Sequence, residues 1–477
     1  MEIFINFTQP IKNLLPTYCV GTNEVNISRV LFRSLYEFEH NIIKYDLVQS
    51  DYHNEDYTSW IIKIFPFQWS DGSEGTIQDV VNTWSYIIKN NLFHSSYLLS
   101  IVGSTNYKKG ILPDISGLQI RDKYTVKIDL KNPIPYFREI LSNINFAPVK
   151  MNEQNEIFHY NREDFNSHIP FITNKDTFID KWTNREIAIE SKKKRNGFNK
   201  YNFTFTNNYD EIHDRFISNK LHIHDGGTID DNDTSVLLNK YMKYYDFLST
   251  YYLFYNTSNE KDLPLDLRKK MNFVVHENKN LINSKDKVQT DRLVPLSLRS
   301  WQKSKKDVFH KKDEMKYIQE RELVFICNDE TAYINLSKEL IGLWKKQLDL
   351  NIKLEVLTWE DFIEALTKGD FDIARAGWVA DFAHPHSFYE VLTSTSSSNF
   401  AKWNNSTFDT IFNQSGGEKN FIARNNYFEK MDFLIEDEVP ILPIYEHKLR
   451  QLVNTNVDCF DISHTGIINF NSTTLKL

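Results

Sequence analysis

Segment 359–381 restricts the fold of this chain more than any other stretch of its sequence. Its apolar residues recur at helical spacing as far as Gly369-Asp370, which is a strong turn signal. An apolar run follows over 371–378, and the chain breaks again after Asp381. The pattern predicts a helix, a turn and a strand in succession.

The end of this predicted strand brings unlike side chains within a few positions of each other. Arg375, Trp378 and Asp381 supply a cation, a flat aromatic ring and an anion. Gly377 lies among them and would let the backbone of a ligand approach closely. Such a group suits a small zwitterion, whereas the alternative interpretation is a buried tryptophan beside a surface ion pair. Spacing alone leaves both interpretations open.

Length and charge limit the classes of protein that this chain can be. A chain of 477 residues is expected to form two or three domains. Apolar residues make up 41% of it, enough for buried cores, yet no window holds the ~20 uninterrupted apolar residues of a membrane-spanning helix. The formal net charge of −8 provides no general basic field, so nucleic acid is not an expected partner.

Cysteine usage and the absence of catalytic motifs argue against further classes. Cys19, Cys327 and Cys459 are odd in number and share no CxxC spacing, so neither a disulfide framework nor a structural zinc site is expected. The sequence contains no nucleophile elbow, phosphate-binding loop or HExxH motif. We therefore expect neither an enzyme nor a resident cofactor.

Several motifs follow one another in the order known from one family. Trp69-Ser70-Asp71-Gly72, with Thr76 and Asp79, is one of them. The others lie at 21–38, 124–137, 340–352 and 439–445, besides the 359–381 segment itself. Together they resemble the ABC-transporter solute-binding protein family 5, and most closely its oligopeptide-binding branch.

The resemblance implies an α/β fold of the type II periplasmic-binding-protein class, with two lobes joined by a hinge and an extra domain inserted in the N-terminal lobe. Lobe I would comprise 1–33, 155–250 and 448–477, the inserted domain 34–154, and lobe II 251–447 with the ligand amine site. Lobe I would then contain both Cys19 and Cys459, so a single bridge between them stays an alternative. Lys175 stands where the family has a glycine, which predicts a rearranged turn.

The resemblance also implies a set of ligand contacts. Asp381 stands at the position whose carboxylate pairs with the N-terminal ammonium of a bound peptide, and a buried ammonium needs such an anion. Tyr333 stands where a ligand-facing histidine is expected and His447 where a tyrosine is expected. The peptide-binding residues implied by position are Asp381, Trp378, Arg375, Gly377, Val379, Trp359, Glu24, Tyr333 and His447. For Glu24 the alternative is an acid on an exposed helix.

Two histidine pairs raise the possibility of a metal site, because the family has nickel-binding relatives. His222 and His224 have the i, i+2 spacing of one strand face, and His384 and His386 flank the loop after Asp381. We expect neither pair to bind a metal. For His384 and His386, positions at the rim of the ligand site are expected instead.

The resemblance predicts an extracytoplasmic solute-binding protein, acting as a monomer, that captures oligopeptides or dipeptides between its lobes. Its partner would be the membrane-spanning permease of an ABC importer. The sequence opens on the strand-like segment 3–7 without a signal peptide or lipobox, which leaves a cytoplasmic location open. The alternatives are an intracellular ligand-sensing relative without a transport role and a nickel- or haem-binding member of the family.

Overall fold

The computed structural model describes residues 1–476 apart from short gaps. The gaps are Lys12, Phe93, 153–155, 158–172, 174–175, 196–197, 227–239, 259–262, 279–280, Asn283 and 302–320. The predicted turn at Lys175 therefore lies outside the described residues. The chain separates into two compact units, of which unit 1 comprises 1–245 and 449–477 and unit 2 comprises 246–448.

Unit 1 combines a mixed sheet with a smaller antiparallel one. Its helices are α1 Thr22–Leu31, α2 Ile77–Lys89, α3 Ser95–Leu98, α4 Ser104–Lys108, α5 Phe137–Leu141 and α6 Tyr209–Ile217. Its strands are β1 Glu2–Phe7, β2 Tyr36–Glu39, β3 Ile42–Tyr45, β4 Val48–His53, β5 Ser59–Ile64, β6 Phe67–Gln68, β7 Glu74–Gly75, β8 Leu118–Asp122, β9 Thr125–Asp129, β10 Thr177–Trp182, β11 Glu186–Arg195, β12 Phe198–Phe205, β13 Ile223–His224, β20 Val457–Cys459 and β21 Thr474–Leu475. Strands β14 Met242–Tyr255 and β19 Ile441–Val453 have residues in both units.

The mixed sheet of unit 1 has β1 near its middle. The strand order is β10-β11-β12-β1-β13-β19, and β1 runs parallel to both of its neighbours. Alternate residues of β1, among them Ile3 and Ile5, are fully buried and pack in the core of this unit. Strands β4, β5, β9 and β8 form the antiparallel sheet in that order.

Local signals explain the start of α2. The turn before it closes through two hydrogen bonds, from the Trp69 N–H to the Ser73 carbonyl and from the Gly72 N–H to the Trp69 carbonyl, both 2.9 Å long. Gly72 has φ = +84°, which favours glycine. Thr76 then caps the helix by accepting the Gln78 N–H, and Asp79 accepts the Thr76 N–H at 2.7 Å. This is the reciprocal arrangement that the motif predicts.

One predicted helix is too long. The sequence predicts a helix over 25–38, but the helix ends at Leu31, because Phe32 takes an extended conformation (φ −114°, ψ 147°). The following residues form the β2–β3 hairpin, in which Tyr36 is paired with Tyr45. The pairing partner lies further along the chain, so helical spacing within 25–38 could not reveal it.

Unit 2 is a sheet covered by helices on both faces. Its helices are α7 Leu265–Glu277, α8 Thr331–Leu348, α9 Trp359–Lys368, α10 His386–Tyr389, α11 Ser406–Gly417 and α12 Phe421–Glu438. Its other strands are β15 Lys287–Gln289, β16 Leu323–Asn328, β17 Ile352–Leu357 and β18 Ile373–Val379. The sheet order is β19-β14-β18-β16-β17, with β15 paired to β19.

The alternation of β14 divides unit 2 into two cores. Tyr252 and Phe254 pack on one face with buried residues of α9, α11 and α12. Tyr251, Leu253 and Tyr255 pack on the other face with residues of α7 and α8. This period of two is the direct consequence of strand geometry.

Two further observations bear on the predictions. In the part of the chain that the structure describes, no helix combines the length and the apolar character needed to cross a membrane. All three cysteines are free thiols, and Cys19 and Cys327 are buried. The division into lobe I, an inserted domain over 34–154 and lobe II stays a prediction.

Candidate functional site

The helix, turn and strand predicted over 359–381 are present as α9 and β18. Thr358 caps α9 by accepting the Asp361 N–H through its hydroxyl, 3.2 Å away. Gly369 ends the helix in the left-handed conformation, with φ = +82°. The cap places Trp359 at the first position of the helix, where its side chain is 52% exposed.

Strand β18 directs alternate main-chain groups to opposite sides. On one side it is paired antiparallel to β14, in the register that places Thr250 opposite Trp378 and Tyr252 opposite Ala376. The Ala380 N–H donates to the Leu248 carbonyl at 2.8 Å, and this fixes which residues exchange hydrogen bonds with β14. The even-numbered residues of β18 form these hydrogen bonds with β14. The N–H and C=O groups of its odd-numbered residues therefore point to the side away from β14.

In the described part of the chain, a strand covers that other side of β18 only at its beginning. Strand β16 pairs with β18 at Phe325–Ile373 and Ile326–Ala374. Within the described ranges, no strand is paired with this side of β18 beyond Ala374. The outward main-chain groups of Arg375, Gly377 and Val379 therefore form an open strand edge, which we call the β18 edge.

Gly377 keeps the β18 edge free of a side chain. The residue is exposed, and its φ lies outside the region that favours glycine. A Cβ built there would meet only the Thr250 carbonyl oxygen, at 3.8 Å. The fold thus does not require glycine at this position, whereas close approach of another backbone would.

The Arg375 guanidinium is held by aromatic rings. Its Cζ lies 4.3 Å from the ring centre of Tyr333, 5.1 Å from that of Phe362 and 5.5 Å from that of Trp359. Its Nε is buried without a hydrogen-bond acceptor. Among the described residues, Arg375 forms neither a hydrogen bond nor an ion pair, so its positive charge has no anionic partner there.

A cavity of about 130 Å³ lies beside Arg375. It is comparable to apolar cavities of about 150 Å³, which take up a benzene-sized group. The indole N–H of Trp378, one of the lining residues, is buried without an acceptor in the described part of the chain. The cavity is lined by Tyr252, Phe254, Trp359, Phe362, Ile363, Leu366, Arg375, Ala376, Gly377, Trp378, Ser398 and Phe400.

Asp381 follows β18 in a half-buried position. Its backbone N–H donates to the Ser387 hydroxyl oxygen at 2.9 Å, which ties the loop after β18 to α10. Glu390 stands three residues beyond Ser387 and so on the same side of this helical turn. Burial, and then the negative charge of Asp381, raise the pKa of the Glu390 carboxyl to about 7. This electrostatic environment favours a positively charged ligand group.

Tyr333 and His447 both lie against further tyrosines of unit 2. The ring of Tyr333 stacks on that of Tyr251 with centres 5.6 Å apart. His447 meets Tyr445 edge to face, with 4.8 Å between the ring centres. No pattern in the sequence assigns a site role to Tyr251 or Glu390, and Tyr445 enters only as the last residue of the 439–445 motif.

Glu24 belongs to unit 1 and serves its own helix. Its carboxylate accepts the backbone N–H groups of Val20 and Gly21, at 2.9 and 3.2 Å, next to the start of α1. An acid in the first turn of a helix is also stabilised by the helix dipole. These contacts support the alternative considered for Glu24, and its ligand role stays a prediction.

The pair His222 and His224 is part of the core of unit 1. His222 accepts the Phe4 N–H through Nδ1 at 3.0 Å. His224 is fully buried, with its Nδ1 3.1 Å from the side-chain nitrogen of Asn6. Burial lowers the pKa of both imidazoles, which are therefore neutral hydrogen-bonding groups.

His384 and His386 stack on each other with their Nδ1 atoms 2.9 Å apart. His386 is 2% exposed, and its Nε2 lies 2.9 Å from the Ser415 hydroxyl, so the expected rim position is wrong for this residue. The apolar rings of Phe412 and Phe428 pack against it. The part of the chain described here contains no group of three or more His, Cys, Asp and Glu side chains arranged to hold a metal ion.

Comparison with known proteins gives a consistent result. The family described as "Bacterial extracellular solute-binding proteins, family 5 Middle" matches residues 43–275. The chain is 26% identical to the periplasmic oligopeptide-binding protein OppA of Escherichia coli (strain K12), over 93% of this chain and 86% of OppA. It is 22% identical to the periplasmic murein peptide-binding protein MppA of the same organism, over 97% of this chain and 90% of MppA.

Solved structures agree on the fold. The structure of Haemophilus influenzae OppA in complex with RPPGFSPFR matches with a TM-score of 0.80 at 18% identity, over 99% of this chain and 98% of that one. The predicted fold class, α/β of the type II periplasmic-binding-protein kind, is confirmed. The predicted resemblance to the bacterial extracellular solute-binding proteins of family 5 is therefore confirmed by the family match over 43–275 and by relatives aligned along nearly the whole chain.

Proposed function

We propose that this protein binds short peptides in extended conformation along the β18 edge and delivers them to the permease of an ABC importer. The open main-chain groups of Arg375, Gly377 and Val379 carry this proposal. An extended peptide adds to such an edge as a further strand, so that affinity comes from main-chain hydrogen bonds common to all peptides.

Charged groups lie at both ends of the same edge. Asp381 follows the C-terminal end of β18, where its carboxylate and the carboxyl of Glu390 favour an ammonium group. Arg375 lies near the other end as a cation without an anion among the described residues. A carboxylate at Arg375 would pair its positive charge, and an ammonium would lie beside the negative charge of Asp381. A zwitterionic peptide meets both requirements.

The aromatic cavity would take a ligand side chain. Its lining includes the aromatic rings of Trp359, Trp378 and Phe400, which accept many apolar shapes. Trp359 is half exposed and can cover a side chain from outside. We therefore propose broad side-chain tolerance, with preference set by size more than by sequence.

The relatives named above are periplasmic, and they are binding proteins. We propose the same for this chain: an extracytoplasmic monomer without a catalytic role or cofactor, partnered by membrane-spanning ABC subunits. Tyr333 and His447 are proposed to adjust the ligand site. Each replaces the ring that the resemblance implies, a histidine at 333 and a tyrosine at 447, with one of different size and charge.

The Asp381→Ala variant tests the amine contact. We expect peptide binding at least tenfold weaker, about 1.4 kcal/mol, with an unchanged thermal unfolding midpoint. Calorimetry would compare a free peptide with its N-acetylated form, since acetylation removes the ammonium charge. Asp266→Ala, which removes an exposed acid at the start of α7, is the matched control. Equal affinity of the wild-type protein for both peptides would rule out the role of Asp381.

Native mass spectrometry tests the wider proposal. Protein purified without refolding is expected to carry a series of short peptides of differing mass. A uniform metal adduct, or protein that binds no peptide after addition of a mixed tri- to pentapeptide pool, would contradict it.

A further inference from the structure

Three tyrosine rings of unit 2 form a continuous stack. The rings of Tyr445 and Tyr251 are parallel within 2°, with centres 4.9 Å apart. The ring of Tyr333 also stacks on that of Tyr251, with centres 5.6 Å apart and planes inclined by 20°. The three residues come from β19, β14 and α8, and we call this stack the tyrosine column.

A cation closes each end of the tyrosine column. Lys287 Nζ lies 5.6 Å from the ring centre of Tyr445, and Arg375 Cζ lies 4.3 Å from that of Tyr333. The face of an aromatic ring carries negative potential, so a cation over it is attracted. The stack thereby connects Arg375 to β19, the strand that also carries His447.

Among the described residues, aromatic rings and not hydrogen-bond acceptors hold the Arg375 guanidinium in place. In the described ranges its guanidinium has no hydrogen bond or ion pair, and its contacts are the rings of Tyr333, Phe362 and Trp359. The ring of Tyr333 in turn rests on Tyr251, which is buried and whose hydroxyl has no hydrogen-bond partner in the described part of the chain. The ring of Tyr251, and not its hydroxyl, is therefore the part that acts on its neighbours.

We propose that Tyr251 and Tyr445 are positioning residues of the ligand site, which fix the Arg375 guanidinium beside the cavity through Tyr333. In this way they set the preference of the site for a ligand with an anionic group. This inference rests on the proposed function for its ligand and on the ring geometry for the rest. Neither tyrosine is expected to touch the ligand itself.

Strand β14 offers a closely matched control. Tyr255 lies on the same strand and the same face as Tyr251 and is equally buried. Its hydroxyl donates to Asn272 at 2.9 Å, and its ring is not part of the tyrosine column. Tyr251→Leu and Tyr255→Leu therefore both remove a buried tyrosine ring from the same face of β14, and only Tyr251→Leu should affect Arg375.

The first measurement needs no ligand. In an arginine side-chain Hε–Nε NMR spectrum, the Arg375 signal is identified by its loss in Arg375→Lys. We expect ring currents to displace it from the signals of exposed arginines. Tyr251→Leu should return it toward them, whereas Tyr251→Phe and Tyr255→Leu should leave it in place.

The second measurement compares trialanine with trialanine amide, which lacks the terminal carboxylate. We expect the wild-type protein to prefer trialanine, and Tyr251→Leu or Tyr445→Leu to reduce this preference about fivefold. Tyr251→Phe should retain the preference of the wild-type protein, because the aromatic ring is kept. Tyr255→Leu should leave the ratio of the two dissociation constants unchanged.

The two measurements separate the inference from the proposed function. If neither peptide binds the wild-type protein, the proposed function fails, and the NMR measurement still decides whether the column positions Arg375. If Tyr251→Leu and Tyr255→Leu leave the Arg375 signal and the affinity ratio equally unchanged, the positioning role is overturned.

Discussion

The hydroxyl of Ser387 accepts the backbone N–H of Asp381 at 2.9 Å, and this contact holds the main chain from which the Asp381 side chain extends. Ser387 is fully buried. A serine at the first turn of α10 thus determines the position of a residue six places before it.

Ser387→Ala is expected to weaken peptide binding roughly three- to tenfold, the range of one lost hydrogen bond. The reason is that the loop after β18 loses the contact that orders it. Calorimetry and thermal unfolding would measure affinity and stability on the same samples. Ser104→Ala removes a comparable buried hydrogen bond in unit 1 and should lower stability without changing affinity. Unchanged affinity in Ser387→Ala would show that Asp381 is positioned by other contacts.

Gly377→Val is expected to weaken peptide binding more than about tenfold, because a branched side chain on the β18 edge keeps another backbone at a distance. The fold should tolerate it, since the Thr250 carbonyl is the nearest atom to a new Cβ. Titration calorimetry beside circular dichroism would separate the two effects. The control, Gly342→Ala in α8, meets open space and should raise stability by about 1 kcal/mol, with affinity unaffected. Full affinity in Gly377→Val would argue against a ligand backbone at this edge.

His384 and His386 are expected to make unit 2 sensitive to acid. Burial lowers the pKa of His386 from 6.5 to about 3, and burial with the charges of His386 and Arg424 lowers that of His384. Both folded-state values lie below the unfolded value, so the stability they provide is present above pH 6.5 and is lost as the pH falls toward 3. Between pH 6.5 and about pH 4, protonation of His386 alone can cost as much as about 3 kcal/mol of stability, and His384 contributes in the same direction.

Urea unfolding between about pH 4 and pH 8 would measure this dependence. In His386→Gln, which retains a polar side chain toward Ser415, the decline below pH 6.5 should be smaller. A variant that declines as steeply as the wild-type protein would show that other groups cause the acid sensitivity.

Glu390 is expected to act in the opposite direction. Burial and then the charge of Asp381 raise the pKa of its carboxyl from 4.5 to about 7. Its contribution to stability is therefore full below pH 4.5 and is lost as the pH rises through 7. Glu390→Gln keeps the shape without the charge and should be more stable than the wild-type protein at about pH 8, by up to about 3 kcal/mol, but not at about pH 4.5. Equal differences at the two pH values would contradict the shifted pKa.

Where the signal is local, the sequence predicts the structure well. The α9–turn–β18 succession depends on apolar spacing and on Gly369, and the start of α2 depends on the Thr76–Asp79 box. The sequence also predicts two strands within 115–130 and a short helix over 136–141, which are present as β8, β9 and α5. Each of these features is determined by residues that are neighbours in the chain.

What the sequence could not predict depends on distant pairing. Tyr251 and Tyr445 stack only because β14 and β19 are adjacent in the sheet. His386 is buried because α11 and α12 pack over it, and α1 ends early because Tyr36 pairs with Tyr45. Burial and then the charge of Asp381, which is not a neighbour in the chain, raise the pKa of the Glu390 carboxyl. No spacing rule within one segment contains this information.

The β18 edge has a consequence for how such a receptor changes through evolution. Its outward groups belong to the main chain, and every amino acid except proline provides them. If the β18 edge binds peptides as proposed, replacement of neighbouring side chains can alter which peptide is preferred while the main-chain contribution to affinity is retained.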